Sequence, residues 1–202
     1  MPLAIHGVVV KKYGTIINLS IGDKENDPVF CITDLLPHLG QEQMEKKATK
    51  VIEGEALDLL IASQPVKGEL KDGVTQFLNI ILEKEYNFTE QDLLSAELEI
   101  VPAGKARDMG FDRSMIMAYG QDDRVCAYTS LVAMLEVESV KRTTCCLLVD
   151  KEEIGSVGAT GMQSRFFENA LAEILELMGK TSALSVRRTL EKSRMLSSDV
   201  SA

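Results

Sequence analysis

The chain has 202 residues, 45% of them hydrophobic and 26% charged, which suits a soluble globular protein and excludes a disordered or fibrous class. A formal charge of -9 and a pI near 4.8 would repel a phosphate backbone, so nucleic acid is excluded as a partner. The apolar run near the start, "LAIHGVVV", follows no basic segment and is far too short to span a bilayer, so no membrane partner is expected. The expected location is cytoplasmic, unless a signal not carried here exports the protein.

Taken in chain order, residues 3 to 33 read as β structure: "LAIHGVVV", a turn at "KKYG", "TIINLSI", a polar turn at "GDKENDP", then "VFCIT". "DLLPHLGQEQMEKK" leans helical and is broken by Pro37, and "GEALDLLIASQPV" is a second mixed apolar run. "TQFLNIILEKEYNF" is expected as a helix. Thr89 and Asp92 stand at capping-box spacing before "AELEIVPA", whose alternation predicts a helix passing into a strand. Up to residue 103 this forms one α+β unit. The Gly-punctuated, charged stretch "GKARDMGFDRSMIMAYGQ" lacks clean periodicity and is taken as the connector to a second domain, 104–202.

Beyond it a helix is expected from about Asp122 to Val137, a strand at "TTCCLLVD", and helices from about Met162 to Met178 and Ser185 to Arg194. Phe167, Leu171, Ile174, Leu175 and Met178 recur at helical spacing and predict one apolar face against a sheet. The continuous apolar run "CCLLV" suits a strand covered on both sides. The fold class is therefore α/β.

Cys31, Cys126, Cys145 and Cys146 have no CxxC spacing, so buried free thiols are expected rather than disulfides or a zinc knot. His6, in an apolar strand, and His38, after Pro37, are expected to be structural.

Chemistry concentrates at three acidic places, each at the end of a predicted element: Asp122 with Asp123, Glu152 with Glu153, and Asp199. Neighbouring strand residues face opposite ways, so Glu152 and Glu153 can serve one site only if the chain leaves the extended conformation, a freedom Gly155 and Gly158 supply. Close carboxylates repel unless a cation lies between them or one is protonated. Each acid also has an ordinary reading open to it: Asp122 as a helix cap, Glu152 and Glu153 as a solvated turn, and Asp199 as a terminal residue with no role. "GSVGATG" follows a strand and precedes a helix, as a phosphate-binding turn does. It lacks both the G-x-G-x-x-G spacing and a P-loop lysine, and acids stand beside it.

"GQDDRVCAYTSL", "DKEEIGSVGATGMQSRFFE" and "SSDVSA" together resemble the zinc aminopeptidase family of aspartyl aminopeptidase and vacuolar aminopeptidase I. "DPVFCITDLLPHLGQEQ" resembles that family's inserted domain, so the similarity covers nearly the whole chain. The resemblance implies a zinc-peptidase-like αβα catalytic domain, present in part over 104–202, and an inserted β-rich oligomerisation domain over 1–103. It implies peptide substrates, homo-oligomers, and two zinc ions, with manganese or cobalt as substitutes. By motif, Asp122 resembles the bridging ligand, Glu153 and Asp199 resemble ligands to one zinc each, and Glu152 resembles the general base. A cis peptide bond between Asp122 and Asp123 is also implied.

The family completes each zinc with a histidine from motifs this sequence does not contain, and neither His6 nor His38 stands in one. The chain resembles an interior portion of a longer enzyme, with an incomplete site. The alternative is a non-catalytic truncated homologue acting only in oligomerisation.

Overall fold

Side chains alternate along a strand, so Leu3, Ile5, Gly7 and Val9 of β1 (Leu3–Val10) share one face while Ala4, His6 and Val8 share the other. The computed structural model describes residues 1–67 and 72–200. In it β1 is the centre of an antiparallel sheet of order β2-β1-β5, with β2 spanning Ile16–Ile21 and β5 spanning Ala96–Pro102. The register sets Ile21, Leu19 and Ile17 opposite Ile5, Gly7 and Val9, which gathers the apolar side chains on one face. Val9, Leu19, Ile21 and Phe88 form the buried core there, with Leu82 and Tyr86 of helix α2 (Gly73–Tyr86) packed against it. At Gly7 the strands come so close that a Cβ would collide with the Glu97 carbonyl.

Local signals explain how α2 leads into β5. Asn87 ends the helix in the left-handed region (φ 60°), a conformation asparagine tolerates well, and its N–H donates to the Leu82 carbonyl. The Thr89–Asp92 capping box forms as its spacing predicts. It opens a 3-10 helix, Glu90–Ser95, instead of an α-helix. The Ser95 hydroxyl donates to the Val10 carbonyl, which ties this short turn to β1 before a longer helix can develop.

Three other expectations over this stretch are revised. "VFCIT" yields only the two-residue β3 (Cys31–Ile32), paired with β4 (Leu59–Leu60). The helix-leaning segment after it, from Asp34 on, contributes a single turn, α1 (Gln41–Met44), with Leu35, Leu36 and Leu39 all exposed. The supposed connector contains a hairpin of β6 (Arg107–Met109) and β7 (Met115–Met117). Its bend is made by Gly110 and Arg113 at positive φ, with Asp112 accepting from the Ser114 N–H and hydroxyl. The chain accordingly divides into two compact units, Met1–Tyr119 and Gly120–Ala202, with the hairpin in the first.

The second unit holds α3 (Gln121–Leu135), α4 (Phe166–Leu177) and α5 (Ser185–Glu191). Leu175 of α4 is buried and Phe167, Ala170 and Leu171 are half-buried. Ile174 and Met178, expected on the same covered face, remain exposed. The strand expected at 143–150 does not form, and among the described residues this unit contains no strand at all. A strand exists only through its ladder partners, and the other described segments here are helices and turns. The αβα layering expected over 104–202 is thus not seen among the described residues, although the molecule is of mixed α and β type. No helix among them is long and apolar enough to cross a membrane.

The polar face of the first sheet carries a small network. His6 Nε2 lies 2.7 Å from Asp23 Oδ2, and the Ser20 hydroxyl donates to the same oxygen at 2.6 Å. The Ser20 bond, followed by the His6 contact, holds the Asp23 carboxyl below its ordinary value of 3.8, against a partial offset from burial. A depressed carboxylate pKa gives stability that is complete above the unfolded value and is lost as pH falls through the folded one. Asp23→Asn should therefore flatten part of the acid limb below about pH 4 in a plot of unfolding midpoint against pH. An unchanged slope would show that the network adds no stability.

Candidate functional site

Four of the five candidate acids lie on two tight backbone features of the second unit. Asp122 and Asp123 open α3, where the chain enters from Gly120 at φ 74°. Their backbone is not helical, with φ/ψ of -85°/113° and -114°/29°, and the peptide bond between them is cis, as the resemblance implied. Asp122 is exposed and Asp123 half-buried.

The second feature is the turn after residue 150. Lys151 (φ 66°), Gly155 (φ 93°) and Ser156 (φ 58°) are left-handed, and between them Glu152–Ile154 forms one 3-10 turn. The chain therefore leaves the extended conformation at the glutamates, as the glycines suggested. The turn is closed by the Ser156 N–H donating to the Lys151 carbonyl at 2.7 Å and the Gly155 N–H to the Glu152 carbonyl at 2.9 Å. From the far side the Gln163 amide donates to the Gly155 carbonyl at 2.6 Å. Gly161 is buried where a Cβ would overlap the Ser156 carbonyl. Glu152 and Glu153 are exposed on this braced loop, and neither carboxylate has a hydrogen-bond or ion-pair partner among the described residues.

Lys151 had no expected role. Its side chain is only 17% exposed, and its ammonium lies 3.5 Å from the Asp150 carboxylate. The signal was present in "DKEE", a lone cation between acids. Asp199 is exposed, and its carboxylate accepts from the next backbone N–H, that of Val200, at 2.8 Å. The last two residues of "SSDVSA" lie outside the described residues.

Among the described residues no group of three or more His, Cys, Asp or Glu is placed to hold a metal ion. Asp122, Glu153 and Asp199 are not gathered into one site, and the donor chemistry points the same way. Tetrahedral zinc favours nitrogen or sulfur donors. His6, the histidine with a resolved contact, is committed to Asp23 in the other unit. Among the described residues, the donors present do not by themselves complete a zinc centre. The four thiols are free, as expected, but Cys145 is exposed instead of buried and the other three are half-buried.

A family model described as aminopeptidase I zinc metalloprotease (M18) matches residues 1–202. The chain belongs to the M18 aminopeptidase family. Among its relatives, a probable M18 family aminopeptidase 1 from Clostridium acetobutylicum is 61% identical over 203 residues, covering 100% of this chain and 44% of that protein. An aspartyl aminopeptidase from Caenorhabditis elegans is 27% identical over 219 residues, covering 98% and 45%. The crystal structure of aminopeptidase I from Clostridium acetobutylicum superposes with a TM-score of 0.79 at 60% identity, covering 100% of this chain and 43% of that one. An M18 structure from Thermotoga maritima gives 0.77 at 46% identity, covering 93% and 41%. The chain thus spans less than half the length of these M18 relatives.

Proposed function

We propose that this chain supplies the carboxylate part of an aminopeptidase site that removes N-terminal amino acids from peptides. Asp122, Glu153 and Asp199 are the metal ligands in this proposal, and Glu152 is the proton acceptor. The metals are two zinc ions, replaceable by manganese or cobalt, and nitrogen donors beyond these residues complete the set. In this proposal the unit from 120 to 202, within the 104–202 expected from the sequence, is part of the catalytic domain, and residues 1–103 belong to the inserted domain through which copies associate.

What supports the reading is the M18 match across all 202 residues together with the braced turn that presents two adjacent, unpartnered glutamates to solvent. A carboxylate without an internal partner is available to take a proton from an attacking water and return it to the leaving amine.

The test uses two proteins: the purified chain, and a chimaera in which it replaces the matched 203 residues of the Clostridium acetobutylicum relative. With zinc, manganese or cobalt, the chimaera is expected to hydrolyse leucyl and aspartyl arylamides and the isolated chain to hydrolyse neither. A folded, metal-loaded chimaera without activity would favour a non-catalytic homologue serving assembly alone. Turnover by the isolated chain would show that it needs no further donors.

A further inference from the structure

The chain is acidic overall, yet Arg142, Arg188 and Lys192 line one surface concavity of ≈ 320 Å3, with Thr143, Thr189 and Ser193 between them and no carboxylate in the wall. None of the three cations has an ion-pair partner among the described residues. Like charges collected on one surface repel, and a bound counter-charge relieves that repulsion.

The group is positioned by hydrogen bonds. Arg142 Nη2 donates to the Lys192 carbonyl at 2.7 Å, which places the guanidinium at the C-terminal end of α5 and leaves most of its five N–H donors free. The Thr189 and Ser193 hydroxyls donate to the Ser185 and Thr189 carbonyls at 2.9 and 2.8 Å, so their protons are already engaged. Recognition therefore falls to the cations. The helix end contributes roughly half a negative charge, which three full positive charges outweigh. Two guanidinium forks and one ammonium match a compact ion with several oxygens and more than one charge better than a single carboxylate.

We propose that this concavity binds a phosphate-class oxyanion, gripped by Arg142 and Arg188 with Lys192 as a point charge. None of the carboxylates assigned to peptide hydrolysis lines it. The oxyanion is a free ion or the phosphate of a small ester.

Calorimetric titration of the full chain at low ionic strength, with inorganic phosphate in one arm and adenosine 5′-monophosphate in the other, separates the two sources. Saturable binding of at least one is expected, weakened roughly tenfold by Lys192→Gln and by Arg188→Gln and unchanged by Lys105→Gln. Affinity should fall as salt is raised. Circular dichroism confirms that each variant is folded, and Lys192→Gln removes a charge without touching the Arg142 bond to the backbone. No saturable binding in either arm, or equal affinity in wild type and both concavity variants, would overturn the proposal.

Discussion

Glu152→Gln in the chimaera is expected to lower kcat for arylamide hydrolysis by roughly 10²- to 10⁴-fold, with metal content unchanged. The substitution keeps the size and hydrogen-bonding shape of the side chain and removes its ability to accept a proton. Because Glu152 is exposed and unpartnered, the change leaves no buried group unsatisfied and the turn intact. Glu153→Ala should behave differently: loss of a ligand lowers metal content, and activity falls with it. Steady-state kinetics paired with metal analysis separates the two roles. Full kcat in Glu152→Gln, or metal loss in it alone, would reverse the assignment.

Phe88→Ala is expected to destabilise the first unit by about 3–5 kcal/mol, the usual cost of truncating a buried aromatic. Phe88 is only 3% exposed and closes the core between Val9, Leu19 and Ile21, with its ring 6.5 Å from that of Tyr86. A domain's whole stability is about 5–15 kcal/mol, so the loss leaves this unit marginal or unfolded at ambient temperature. Phe111, fully exposed at the β6–β7 bend, is the control: Phe111→Ala should shift stability by no more than about 0.5 kcal/mol. Urea unfolding of both variants measures the difference. Equal midpoints would mean that the Val9 and Phe88 cluster is not what holds the unit together.

The parts of the fold legible in the sequence were those set by local pattern. Apolar runs set off by turn residues located the strands at 3 to 10 and 16 to 21, alternation located the one at 96 to 102, and helical spacing located α4, though the pairing of the three strands into one sheet was not read. Thr89 and Asp92 announced a helix start but not its type, because the Ser95 hydroxyl ties the turn to the Val10 carbonyl of β1 before a longer helix can develop. "CCLLV" misled for a different reason. An apolar run records an appetite for burial, whereas a strand also needs a neighbour to bond with. The β6–β7 hairpin was missed because its sequence does not alternate and its bend relies on Arg113 at positive φ. At the candidate site the acids and the bend were readable from residue types. The cis bond was implied only by family resemblance, and whether the carboxylates converge depends on how separate segments pack.

Thr143–Val149 contains no charge, proline or glycine and combines β-branched and apolar residues, with Leu148 and Val149 exposed. Such a stretch is a template for the same stretch of another molecule. Handled alone and concentrated, the chain will tend towards cross-β association, slow to reverse and rising with dose. Light scattering that detects multimers of the isolated chain therefore reports on colloidal behaviour as well as on biological assembly. The two are told apart by order: a native assembly saturates at a fixed stoichiometry, whereas strand-templated growth has no natural end.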